Sequence, residues 1–199
     1  MTRDLKFSRH IKSIWKVIRL FYLIFGLVVW IIANCSSANQ TDTNSSSPDD
    51  VVKRFCKLDS EGKRLSSRTW GSFLPLVTWA EEITAGESIK VIHIIENFNI
   101  ENTLVHDSIA SVFVRYNYLG VTDTVEFSKP LKQEQVIEFR LLKQNRIWKI
   151  KEPVIAPHVN WESAIEYLKP AIDERPERKK QLELIIEKIK KAQRKWRAP

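Results

Sequence analysis

The sequence predicts an α+β domain in which N-terminal helices pack on one face of a curved antiparallel sheet, between an N-terminal membrane or signal helix and a C-terminal amphipathic helix. Three observations predict it. Apolar residues from Val51 to Val77 recur at helical spacing, whereas from Ile89 to Lys151 they alternate with a period of two. A run of antiparallel strands after two helices argues for helices laid against one sheet face. Leu20 to Ala33 (LFYLIFGLVVWIIA) is apolar on every face, unlike the helices that border a soluble core.

With 199 residues, 43% hydrophobic and 28% charged, the chain holds one ordinary domain plus appendages. Its net charge of +8 lies at the two ends. Arg3, Lys6, Arg9, Lys12, Lys16 and Arg19 face only Asp4 in the first segment, and ten Lys or Arg face five acids after Ala171. The body between them is close to neutral, so no nucleic-acid partner is expected.

Residues 1–19 form a basic, cytoplasmic n-region, and residues 20–34 a signal or membrane-anchor helix. A full span of about 20 residues requires counting from Ile14, with Lys16 and Arg19 snorkelling to the headgroups. Basic residues before the apolar run place the rest of the chain outside the cytoplasm, most simply in a bacterial envelope. Ile32-Ala33-Asn34-Cys35 resembles the lipobox of bacterial lipoproteins, which makes Cys35 the lipidation candidate. Asn34 departs from the Gly, Ala or Ser usual before that cysteine, so an uncleaved anchor and cleavage after Ala38 stay open. Residues 35–47 (CSSANQTDTNSSS) read as a flexible tether. Cys56, the other cysteine, is expected as a small core residue.

The domain is assigned to residues 48–170. Ser47 is a good N-cap, Pro48 suits the first helical position, and Asp49 and Asp50 favour the positive helix end. Val51, Val52, Phe55, Cys56 and Leu58 share one face, and Gly62 marks the stop. A second helical segment is expected from Ser66 or Ser67, burying Trp70, Phe73, Leu74 and Val77, with Pro75 near its end. Strands follow over Lys90–Ile95, Ser111–Leu119, Thr122–Phe127, Gln135–Leu142 and Arg146–Lys151, with a hairpin turn at Gln144-Asn145. Asn160-Trp161-Glu162 opens a short helix with Ala164, Ile165 and Leu168 inward, and Pro170 is expected to end it.

The early pattern Phe55-x-x-Leu58-Asp59-x-x-Gly62-x-x-Leu65-Ser66 is joined by Val114-x-Tyr116-x-x-Leu119-Gly120, Trp148-Lys149-Ile150 and Pro157-His158-Val159. Together these resemble the cone-shaped nuclear transport factor 2-like superfamily, and within it an uncharacterised group of secreted bacterial proteins. The resemblance covers Asp49 to Leu168. It implies a cone-like domain, a scaffold shared by isomerases, dehydratases, binding modules and secretion-machine parts, so it does not fix the function. Enzymes of that superfamily use an acid, base or phenol projecting into the cone. By that resemblance Tyr116, Tyr118 and His93 are the pocket candidates, with His106 and Asp107 as the next nearest.

Direct evidence of chemistry is sparse. HExxH, GxSxG, CxxC and phosphate-binding glycine loops are absent, so no cofactor, metal site or catalytic residue is assigned. Tyr116 and Tyr118 alternate with apolar positions and read first as core residues with a hydrogen-bonded hydroxyl. His106-Asp107 reads as a solvated turn, and Pro157-His158 as the point where the sheet hands over to the next helix. Residues 171–199 form a cationic amphipathic helix, with Leu182, Ile185, Ile186, Ile189 and Trp196 as its apolar stripe. It suits packing on its own domain, an anionic membrane surface, or a protein partner. The preferred reading is a non-catalytic, membrane-anchored envelope protein that binds a small apolar ligand or a protein partner. An isomerase or dehydratase, and a structural subunit of an envelope or secretion complex, are the alternatives.

Overall fold

A computed structural model describes residues 46–79, 91–123 and 125–197. The expected anchor, Cys35 and nearly all of the tether lie outside the described residues. Among the described residues no helix is long and apolar enough to cross a membrane.

Helix α1 (Pro48–Ser60) begins where the sequence places it. The Ser47 hydroxyl accepts from the Asp50 N–H, and the Asp50 carboxylate accepts from the Ser47 N–H at 3.2 Å, a closed capping box. The next segment is not the expected α-helix but a 3₁₀ turn over Ser67–Ser72. Its side chains compete for the backbone. Thr69 Oγ1 donates to the Ser66 and Lys63 carbonyls, and Ser72 Oγ donates to the Thr69 carbonyl. Phe73, Leu76, Val77 and Trp79 then drop into the core, whereas Leu74, expected inside, is 49% exposed.

The strands are β1 (Ile92–His106), β2 (Ile109–Thr122), β3 (Phe127–Ser128), β4 (Glu134–Gln144), β5 (Ile147–Glu152) and β6 (His158–Asn160). They form one curled sheet in the order β5-β4-β2-β1-β6, with β3 beside β2. All pairs are antiparallel except β1 with β6, which run parallel over three residues. The expected strand over Thr122–Phe127 is interrupted because the Asp123 carboxylate accepts from the Val125 and Glu126 N–H groups at 2.8 and 2.9 Å, an Asx turn. The β4–β5 turn falls at Asn145-Arg146, one residue later than expected, and both residues have positive φ (50° and 68°) as a tight hairpin turn requires.

Register shifts between β1 and β2 decide which face each side chain joins. Ile92 and Ile94 face one side, while Ile95, Phe98 and Ile100 face the other. The first core lies between α1 and the sheet and contains Phe55, Phe73, Trp79, Tyr116, Phe139 and Ile150. On the opposite face, α2 (Trp161–Glu174) and α3 (Lys179–Arg197) bury Ile165, Leu168, Leu182, Ile185 and Ile189 against Ile92, Ile94 and Leu119. Helices therefore cover both sheet faces, where the sequence places helices on one. Helix α2 also runs through Pro170 instead of ending there.

Candidate functional site

Asp59 falls on the buried stripe of α1, with Val52, Phe55 and Cys56 one and two turns before it. Gly62, at φ 73°, then reverses the chain, and the turn Lys63–Leu65 swings Arg64 back over the helix end. Arg64 Nε and Nη2 donate to the two Asp59 oxygens at 2.7 Å each, a bidentate pair buried on both sides. The same guanidinium donates to the Ile155 and Ala156 carbonyls at 2.8 and 2.9 Å and lies 5.2 Å from the centre of the Phe55 ring. The His158 backbone N–H donates to Asp59 Oδ2 at 2.9 Å. One carboxylate thus ties α1 to β6 across 99 residues. Burial raises the pKa of Asp59, against the pull of Arg64 and the His158 N–H.

His158 continues the chain of contacts. Its Nδ1 lies 2.7 Å from the Ala156 carbonyl, which can only accept, so Nδ1 carries the proton. Nε2 must then accept from the Tyr118 hydroxyl, 2.9 Å away. Burial, reinforced by the neighbouring His93, lowers the His158 pKa to about 3 and keeps the ring neutral. His93 stacks on His158 with ring centres 4.7 Å apart and planes 8° from parallel, and its own pKa is lowered by burial. Below them the Tyr116 hydroxyl sits 3.0 Å from Cys56 Sγ. Burial pushes the Cys56 thiol and the Tyr118 phenol up to about 12 each. At neutral pH the thiol and both phenols are therefore protonated, and His158 is neutral with both ring nitrogens occupied.

Of the residues singled out in the sequence, the fold brings His93, Tyr116 and Tyr118 together around His158. His106 and Asp107 stand apart at the β1–β2 hairpin tip, 92% and 88% exposed and 3.2 Å from each other. Asp59 and Arg64 had no assigned role. The available signal for Asp59 was its spacing from Phe55 and Cys56, but nothing local announces Arg64.

Two shallow grooves open beside the cluster. One, of about 320 Å³, is lined by His93, Tyr118, Val121, Pro130, Leu131 and Lys132, among others. The second, of about 350 Å³, adjoins it across Tyr118 and Pro130 and reaches Lys129, Lys195 and Trp196. Inward of Tyr116 the space between α1 and the sheet is filled by Phe55, Phe73, Trp79 and Phe139, with Phe55 edge-on to the other three at 5.5–6.2 Å. Among the described residues, no three His, Cys, Asp or Glu side chains are grouped to hold a metal.

No family model matches the chain, and no curated protein matches it. Among solved structures it is similar to the intermembrane-space region of the chloroplast protein ARC6, with a TM-score of 0.38 and 10% identity over 55% of this chain and 94% of that one. It is also similar to a Campylobacter jejuni protein described as an NTF2-like transpeptidase, with a TM-score of 0.31 and 17% identity over 54% of this chain and 100% of that one. At these scores only part of the backbones coincide, and neither protein's role carries over.

Proposed function

We propose that this chain is a non-catalytic, membrane-anchored envelope protein whose α+β domain binds an apolar ligand in the groove beside Tyr118 and His93. One observation carries the ligand reading. The polar groups behind the groove are closed on one another, Asp59 on Arg64, His158 on Tyr118 and Ala156, and Tyr116 on Cys56, so the groove meets rings and the apolar Val121, Pro130 and Leu131 beside Lys132 and Gln135. An isomerase or dehydratase needs a titratable group free to exchange a proton with substrate. Here burial holds the thiol and phenols protonated and His158 neutral, and it lowers the pKa of His93, the histidine that lines the groove and stacks on His158.

Anchoring rests on the apolar run Leu20–Ala33 and the charge before it. Kinship with the cone-shaped secreted group rests on its motif residues. Phe55, Asp59, Gly62, Tyr116 and His158, widely spaced in the chain, take part in or position one buried cluster.

Feeding expressing cells a diazirine-bearing fatty acid and mapping the photolabelled peptides tests the ligand reading. Label is expected on the segment around Pro130–Gln135, and Val121→Asp should remove it. Labelling confined to other segments, or unchanged by that substitution, would sink the proposal.

A further inference from the structure

We infer that the end of α3 and the Lys129–Gln133 loop form one surface that lies on an anionic bilayer. Lys129, Pro130, Lys195 and Trp196 line a single groove, so loop and helix end are neighbours in space although far apart in sequence. Leu131 is fully exposed (106%) and is flanked by Lys129 and Lys132. Trp196, half-buried, sits between the exposed Lys195 and Arg197, and Lys188, Lys190, Lys191 and Arg194 are exposed on the same helix. Arg197 reaches Glu96 at 3.3 Å, which leaves the lysines and Arg194 as the main source of field.

The pairing of residue types selects the partner. An exposed aliphatic side chain and a tryptophan, each bracketed by basic residues, match a headgroup layer in which rings and alkyl groups enter the interface while ammonium groups meet lipid phosphates. A nucleic acid would use the charges but leave Leu131 in water. The fold also changes how α3 can act. Its stripe of Leu182, Ile185 and Ile189 is buried against the sheet, so the helix cannot insert along its length. Contact falls to its outer face and its end, and is shallow and electrostatic. Each basic side chain near such a surface raises affinity about fivefold, so the contact weakens steeply with salt. This inference rests on the reading that Leu20–Ala33 holds the chain at a membrane; it shares Pro130, Leu131 and Lys132 with the apolar-ligand groove but does not require that groove to hold a ligand.

The test uses the full chain reconstituted in phosphatidylcholine vesicles or in a three-to-one phosphatidylcholine–phosphatidylglycerol mixture. Trypsin cleavage after Lys132 is followed by mass spectrometry, with cleavage after the buried Arg64 as the report on folding. Cleavage after Lys132 should slow about tenfold on the anionic vesicles and recover in high salt. In a variant combining Lys129→Gln, Leu131→Ser and Lys195→Gln, all solvent-side changes, the two vesicle types should give equal rates. Equal rates for the unaltered chain would overturn the inference. So would protection that grows with protein concentration without vesicles, which would assign the surface to a second copy. Whether the chain stays on phosphatidylcholine vesicles through a high-salt wash reports the anchor separately, so failure of that reading is distinguishable from failure of this one.

Discussion

The Asp59 carboxylate would be costly inside a protein on its own, and the bidentate Arg64 pair with the His158 N–H is what offsets its lost hydration. His158 is held neutral by burial, and this links stability to pH. Above about pH 6.5 neither folded nor unfolded His158 binds the proton. As pH falls below that, the unfolded chain takes up a proton that folded His158, at about 3, refuses. Stability should therefore fall by up to about 1.4 kcal/mol per pH unit between these limits. His93, lowered by burial, adds in the same direction, while Asp59, raised by burial, opposes it. Urea unfolding near neutral pH and at about pH 5 should show this loss, and His158→Gln should flatten it. Identical slopes in the two proteins would show that the titration lies elsewhere.

Elements depart from their sequence patterns where a side chain or a missing N–H competes with the backbone. Thr69 and Ser72 turn an expected α-helix into a 3₁₀ turn, and Asp123 cuts a strand short. Pro170 is the opposite case, since α2 continues past it to Glu174. Proline removes one helical hydrogen bond and crowds the preceding turn, at a cost of about 3 kcal/mol in a helix interior. Burial of Leu168, with Ala171 and Ile172 packed on the second core, offsets that cost. Pro170→Ala should restore a donor to the Glu166 carbonyl. Allowing for the greater freedom of the unfolded chain, it should stabilise the domain by roughly 1–2 kcal/mol, measured by chemical denaturation. A destabilised variant would mean that the ring itself packs against something the helix needs.

At the scale of the whole molecule, one sheet carries a core on each face, and the C-terminal helix belongs to the second. The stripe of α3 was legible as an amphipathic helix, but the same stripe suits a bilayer, a partner or its own sheet. The structure places Leu182, Ile185 and Ile189 against Ile92, Ile94 and Leu119. Ile185→Ala should therefore cost about 2–4 kcal/mol and be read in the same unfolding transition as the rest of the domain. A separate low-stability transition for α3 would show that the helix docks only loosely. The candidate site was legible in part. Tyr116 and Tyr118 share a strand face by alternation, but their meeting with His93, His158 and Cys56 needs two sheet pairings and a helix laid across them.

Periodicity, caps and charge fix a definite set of local features. These are the start of α1 at Ser47-Pro48, the alternating strands, the cationic amphipathic C-terminal helix, and the placing of positive charge at the chain ends. Which surface covers which stripe, and the meeting of Asp59 with Arg64 and His158 beneath Tyr118, came from the packed fold alone. A pattern records which side of an element avoids water. The partner that excludes the water is supplied by distant chain, through bulges and turns that set the register one residue at a time.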